Sequence, residues 1–156
     1  MRNTSRKIIS LNRKAKHDYI IEKCYEAGIE LFGTEVKSIR QGNLTLKDAY
    51  CMIEEGQIYL FNMHIKPYEH GNIFNRDPLR KRRLLLHKKE ILNLYSDVKR
   101  QGYSIIPLSA YFIKSKVKIE IGLCKGKKLY DKRASIATRD AKRQIERELK
   151  QKLKYI

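Results

Sequence analysis

Val117, Ile119, Ile121 and Leu123 fall on every second position of KVKIEIGL. Side chains alternate across a strand, so this spacing predicts a strand with one buried face. YSIIPLSAYFI, just before it, reads as a further strand of the same sheet. HDYIIEKCYEAGIEL (17–31) reads as extended through Tyr19, Ile21, Tyr25 and Ile29, with a bend or bulge expected at Ala27-Gly28. AYCMIEE and QIYLFNMHI flank Glu55-Gly56, a hairpin signal. In the second of these runs, Tyr59, Phe61, Met63 and Ile65 alternate and are expected to form its buried face.

Two stretches change period. In GTEVKSIRQG (33–42), Val36 and Ile39 are three apart and Gly42 is a natural stop, which predicts a short helix. In RRLLLHKKEILNLYSDVKRQG (82–102), Leu84 to Leu86 read as strand. Ile91, Leu94, Tyr95 and Val98 then share one helical face, closed by Gly102. PYEHGNIFNRDP is a loop marked by Pro67, Gly71 and Pro78. There is no βαβ rhythm. The expected architecture is mainly β: a small closed antiparallel β-barrel of oligonucleotide-binding type with two short helices, because closure removes sticky strand edges.

Charge divides the chain. Residues 1–16 hold six bases and no acid, and residues 125–156 hold 12 bases and 4 acids. The middle carries only 17 bases against 13 acids, although the whole chain stands at +18. This predicts a basic N-terminal arm (1–16), a barrel domain (17–128) and a basic C-terminal tail (129–156). Solubility does not require so much charge of one sign, so a polyanion, and RNA above all, is the expected partner. In the tail, Ile145, Leu149, Leu153 and Ile156 form a narrow apolar stripe, with Glu146–Lys150 and Glu148–Lys152 as i,i+4 pairs. The tail is expected to be disordered when free and helical when docked on a partner.

Other classes of chemistry find little support. Cys24, Cys51 and Cys124 are far apart, and His17, His64, His70 and His87 lack zinc-ligand spacing, so no metal is expected. KGKK is not a phosphate-gripping GxxxxGK[ST] loop. Neither G-x-S-x-G nor H-E-x-x-H occurs, and Glu54 and Glu55 sit without companions at a turn. The chain is read as a non-enzyme without cofactor. It has no run of about 18 apolar residues and no signal-peptide core, so a cytoplasmic location is expected.

Two stretches invite a sharper reading. RKRRLLLHKK (80–89) packs six bases around three leucines. It is either a core strand with charged flanks or an RNA-facing strand with one leucine turned outward onto a base. In EAGIELFGTEVKS, Glu26 and Glu35 either meet solvent and nearby Lys37 and Arg40, or read base amino groups that a phosphate cannot satisfy.

Six strings in order carry a resemblance: LNRKAKHDY (11–19), YEAGIELFGTEVKSIRQGN (25–43), LKDAY (46–50), HIKPYEHGN (64–72), NRDPLRKRRLLLHKKEI (75–91) and GLCKGKKLYDKR (122–133). Together they closely resemble the SsrA-binding protein family of bacterial trans-translation, over nearly the whole chain. The resemblance implies a barrel that grips the tRNA-like domain of transfer-messenger RNA and delivers it to stalled ribosomes, standing in for the part of a tRNA that this RNA lacks. It implies RNA contacts at Asn12, Glu26 and Leu85. The neighbouring bases and polar groups extend that set to Arg13, Lys14, His17, Glu35, Lys37, Ser38, Arg40, Arg80, Arg82, Arg83, Lys125, Lys127 and Lys128. It also implies that the tail enters the small-subunit decoding centre and the empty mRNA channel, through Tyr130, Asp131, Lys132 and Arg133. The aminoacyl-tRNA-carrying elongation factor would be an indirect partner, and the protein a monomer. Family members vary at the position of Tyr130. Cys124 stands where they commonly have a small residue, and is read as packing. A ribosomal or rRNA-binding protein with the same barrel is the alternative.

Overall fold

The computed structural model describes residues 5–71, 75–126 and 147. The elements run β1 (Arg6–Leu11), α1 (Arg13–Asp18), β2 (Tyr19–Ile29), α2 (Gly33–Arg40), β3 (Leu44–Thr45), β4 (Tyr50–Glu54), β5 (Gln57–Phe61), β6 (His64–Ile65), β7 (Arg82–Leu85), α3 (Lys88–Gln101), β8 (Ser104–Ile113) and β9 (Lys116–Gly126). The described fold is mainly β, and its ladders are antiparallel. In the large sheet the strands lie in the order β1-β8-β4-β5-β7-β2-β9, and β9 returns to pair with β8. β3 and β6 form a separate small pair. The ring is thin in two places: β4 meets β8 only at Cys51–Ile105, and β2 meets β7 only at Gly28–Leu85 and Ile29–Leu84. The barrel is therefore of the expected type but not strictly closed. Among the described residues no helix is long and apolar enough to cross a membrane.

The clearest periodic signals became the firmest elements. Val117, Ile119, Ile121 and Leu123 all point into the core. The β4–β5 hairpin turns at Glu55 and Gly56, both at positive φ (50° and 75°), the mirror-image turn that suits strand twist. α3 starts where the Glu90 carboxylate accepts the His87 amide at 3.1 Å, and ends at Gly102 in the left-handed conformation.

Four expectations need correction. The β2 irregularity lies between Ile21 and Lys23, not at Ala27-Gly28. In β5 it is Ile58 and Leu60 that are buried, while Tyr59 and Phe61 are only half-buried. The phase flips at Asn62, whose φ of 63° breaks the alternation before buried Met63 and Ile65. On α3, Ile91 and Leu94 reach the core, but Tyr95 is 44% exposed. Finally, the stretch expected to be a basic arm supplies a strand and a helix. β1 pairs along β8, and α1 is a third helix that the apolar pattern did not announce.

α1 explains why β8 is buried from Ile105 to Phe112. One face of β8 sends Ile105, Ala110 and Phe112 inward. On the other, Ile106 and Leu108 pack with Cys124 against Ala15 of α1. A register shift between Pro107 and Ser109 changes the phase, at a strand position that proline tolerates. The thiols are free. Burial pushes that of Cys124 up to about 11, whereas Cys24 is exposed.

Candidate nucleic-acid interface

Leu84 is fully buried while Leu85, its neighbour on β7, is 44% exposed. One leucine of the basic cluster therefore does turn outward. It lies opposite Gly28, where a Cβ would stand 3.2 Å from the Leu85 Cβ. The glycine is there for close approach of two strands rather than for a bend.

Two residues before Gly28 on the same outer face, Glu26 sits opposite Glu120 of β9. Two carboxylates side by side repel unless a cation intervenes. Arg6 of β1 supplies it, at 3.4 Å from Glu26 and 3.4 Å from Glu120. The same guanidinium lies 4.7 Å above the Tyr111 ring. Tyr111 donates its hydroxyl to Glu26 Oε2 at 2.6 Å. Burial, and then the Glu26 charge, push the phenol well above its usual range, so it stays protonated and keeps donating. Both contacts to Glu26 fall on Oε2 of a side chain that is still 37% exposed. The face thus joins an exposed leucine to an oriented carboxylate.

Arg13, Lys14 and His17 are exposed on α1. Lys14 makes a 3.6 Å pair with Asp48, and His17 Nδ1 lies 2.9 Å from Asp18. Asn12 is buried and organises this helix. Its Oδ1 accepts the Ala15 amide at 3.1 Å, and its Nδ2 donates to the Pro107 carbonyl at 2.9 Å, which anchors α1 at the β8 irregularity.

The GTEVKS set divides. Lys37 and Arg40 are exposed, whereas Glu35 and Ser38 are buried, and so is Arg82. Glu35 is not paired with Lys37 or Arg40 as the sequence suggested. Its partners are Arg82, at 2.6 Å, and Arg80. Burial alone would raise the Glu35 carboxyl, but the hydrogen bonds from Arg80 and the Phe32 amide, with the Arg82 charge, outweigh it and hold it below the usual carboxylate range. Arg82 also donates to the carbonyls of Met63 (2.7 Å), Pro78 and Arg80 (both 3.1 Å), and Ser38 donates to the Lys66 carbonyl. These polar atoms are committed to holding α2, β7 and the 66–80 loop together. Asn12, Glu35, Ser38 and Arg82 are thus buried, with these polar atoms engaged inside the fold.

Arg80 is half-buried over the Phe32 ring at 4.7 Å, and Arg83 pairs with Glu30 at 3.2 Å. Lys125 lies 3.8 Å from Glu22. Lys127, Lys128, Tyr130, Asp131, Lys132, Arg133 and the amphipathic stripe lie outside the described residues. Sequence reasoning missed Arg6, Tyr111 and Glu120. Nothing local marks them, because only the pairings of β1 with β8 and of β2 with β9 bring them to Glu26.

Comparison with known proteins places the whole chain in a family. The sequence model of the SmpB protein family matches residues 9–151. An SsrA-binding protein of Caldanaerobacter subterraneus subsp. tengcongensis is 58% identical over 146 residues, covering 94% of this chain and 92% of that protein. One of Clostridium tetani is 55% identical over 155 residues, covering 99% of each. A solved structure described as "tmRNA-SmpB: a journey to the center of the bacterial ribosome" superposes with a TM-score of 0.63 at 46% identity, over 74% of this chain and 82% of its own. With a family match spanning most of its length and relatives above half identity end to end, this chain belongs to the SmpB, or SsrA-binding, protein family.

Proposed function

We propose that this protein binds the tRNA-like domain of transfer-messenger RNA and carries it to ribosomes stalled without a usable codon, where peptide tagging releases them. The observation that carries the reading is the outer face of β2 and β7, where Leu85 is exposed beside an oriented Glu26, in a chain similar from end to end to SsrA-binding proteins. Leu85 packs on an unstacked base, as side chains do where RNA leaves its helix. The Glu26 carboxylate accepts from a base amino group, which also discriminates against phosphate. Arg13, Lys14 and the other exposed bases neutralise backbone phosphates and release counterions.

The protein acts in the cytoplasm as a monomeric binding and delivery factor without chemistry of its own. The elongation factor carrying aminoacyl-tRNA is an indirect partner. Residues 129–156 enter the small subunit, with Tyr130, Asp131, Lys132 and Arg133 at the decoding centre. Sequencing the RNA that co-purifies with the protein tests the reading. One small RNA with tRNA-like ends is the expected result. Bulk rRNA fragments would instead identify an rRNA-binding protein.

A further inference from the structure

The thin seam at Cys51–Ile105 opens into a cleft of about 680 Å³ between α1, β4 and the end of α3. Tyr50, Tyr95 and Tyr103 line it together with Met52, and Lys14 and Lys99 stand among them. Tyr50 is 37% exposed, Met52 49% and Tyr95 44%, so apolar and aromatic surface is on offer there. Ordinary surface has no reason to gather such side chains around a hollow.

Two of the rings carry a cation. Lys99 Nζ lies 5.0 Å from the Tyr95 ring centroid, and Lys125 Nζ lies 4.9 Å from that of Tyr103. Lys14 adds a third ammonium, held by Asp48 in an exposed 3.6 Å pair that is cheap to exchange. A ring with an ammonium over its face matches one nucleotide when the base takes the ammonium's place on the ring and the flexible lysine swings to the phosphate. A duplex keeps its base faces covered and offers nothing to these tyrosines. An apolar peptide helix would gain nothing from the lysines. The cleft draws on β4, β8 and only the first residue of β2, Tyr19, whereas Glu26 lies further along β2 and Leu85 on β7.

We propose that this cleft binds unstacked bases of single-stranded RNA, as a second RNA site separate from the Glu26–Leu85 face. The proposal rests on the chemistry of the cleft and stands independently of which structured RNA the other face takes. The test is binding of the full-length protein to labelled oligouridylate and oligoadenylate of about six nucleotides, within the span one such barrel covers. Tyr95→Ala should weaken binding about tenfold. Tyr95→Phe, which keeps the ring, should bind as the parent does. Lys99→Gln should weaken binding and flatten its salt dependence, and Leu92→Ala, at an exposed position of α3 outside the cleft, should leave it unchanged. Three results would overturn the proposal: no oligonucleotide binding by the parent protein, parent-like binding by Tyr95→Ala, or an equal loss in Leu92→Ala. Capture of an amphipathic peptide at Tyr95 without any response to the oligonucleotides would overturn it too, in favour of a protein partner. The identity of the co-purifying RNA is read separately, so either conclusion can fail alone.

Discussion

The Tyr111 hydroxyl reaches Glu26 Oε2 at 2.6 Å from a strand that is not a hydrogen-bonded neighbour of Glu26's own; β9 lies between them. The contact fixes which oxygen of the carboxylate is occupied. Tyr111→Phe keeps the ring and its packing, so the fold should survive. RNA affinity should fall about fivefold, the worth of one hydrogen bond. In a Glu26→Ala background the same change should cost nothing, because the group it orients is gone. Equal losses in both backgrounds, measured by filter binding, would reduce Tyr111 to a packing residue.

Leu85 and Leu84 are adjacent in sequence and opposite in environment. Leu85→Ala and Glu26→Ala should each weaken RNA binding by about 1–3 kcal/mol and leave circular dichroism native. Leu84→Ala, in contrast, opens a core cavity and should lower stability by about 2–5 kcal/mol. Unfolding of Leu85→Ala would refute the assignment of this leucine to the binding face.

Glu35 and Arg82 are both buried and paired. Glu35→Gln leaves the Arg82 charge uncompensated and should destabilise by about 3–5 kcal/mol at neutral pH. The pH dependence has a definite sign. The folded Glu35 binds its proton less readily than the unfolded one, so its contribution is complete above the ordinary carboxylate range near about 4.3. That contribution fades as pH falls through this range to the lower folded value. Urea midpoints measured downward from pH 7 should converge for the parent and Glu35→Gln, and a constant gap would exclude the linkage.

RNA affinity should fall steeply with salt. With several phosphates neutralised, log K against log salt should have a slope of several units, at about 0.7–0.9 per phosphate. A flat titration would leave the +18 charge without a role in binding.

A chain ending at Lys128 retains every strand described above. It should fold, and should bind the tRNA-like RNA with affinity reduced only by the lost charge. It should fail to support peptide tagging on stalled ribosomes. Both measurements belong on one preparation, and retained tagging would remove the tail from the mechanism.

What the sequence made visible follows from where the governing interactions lie. The β9 alternation, the Glu55-Gly56 turn and the Gly102 stop are local, and each is legible within a few residues. α1 has one buried side chain, Ala15, in six residues, too few to show a period. β1 is mostly exposed and opens on two bases, so it looks like an arm until β8 is placed beside it. The Glu35–Arg82 pair joins residues 47 apart in sequence, and no local rule connects them. Leu85 was accessible to reasoning because a strand with three leucines must turn one outward. Tyr111 was not, because its hydroxyl finds Glu26 across the breadth of β9.

The ladder order also governs how the chain can be made. β1 waits for β8, and β2 for β9, so the first strands synthesised find their partners among the last. Contacts of such long sequence separation slow folding, since the loop must close before any pairing rewards it. A nascent chain that has not yet released Lys116–Gly126 holds β2 and β8 with bare edges, open to pairing with the wrong neighbour. The ring through β2, β9 and β8 can therefore close only after β9 has left the ribosome.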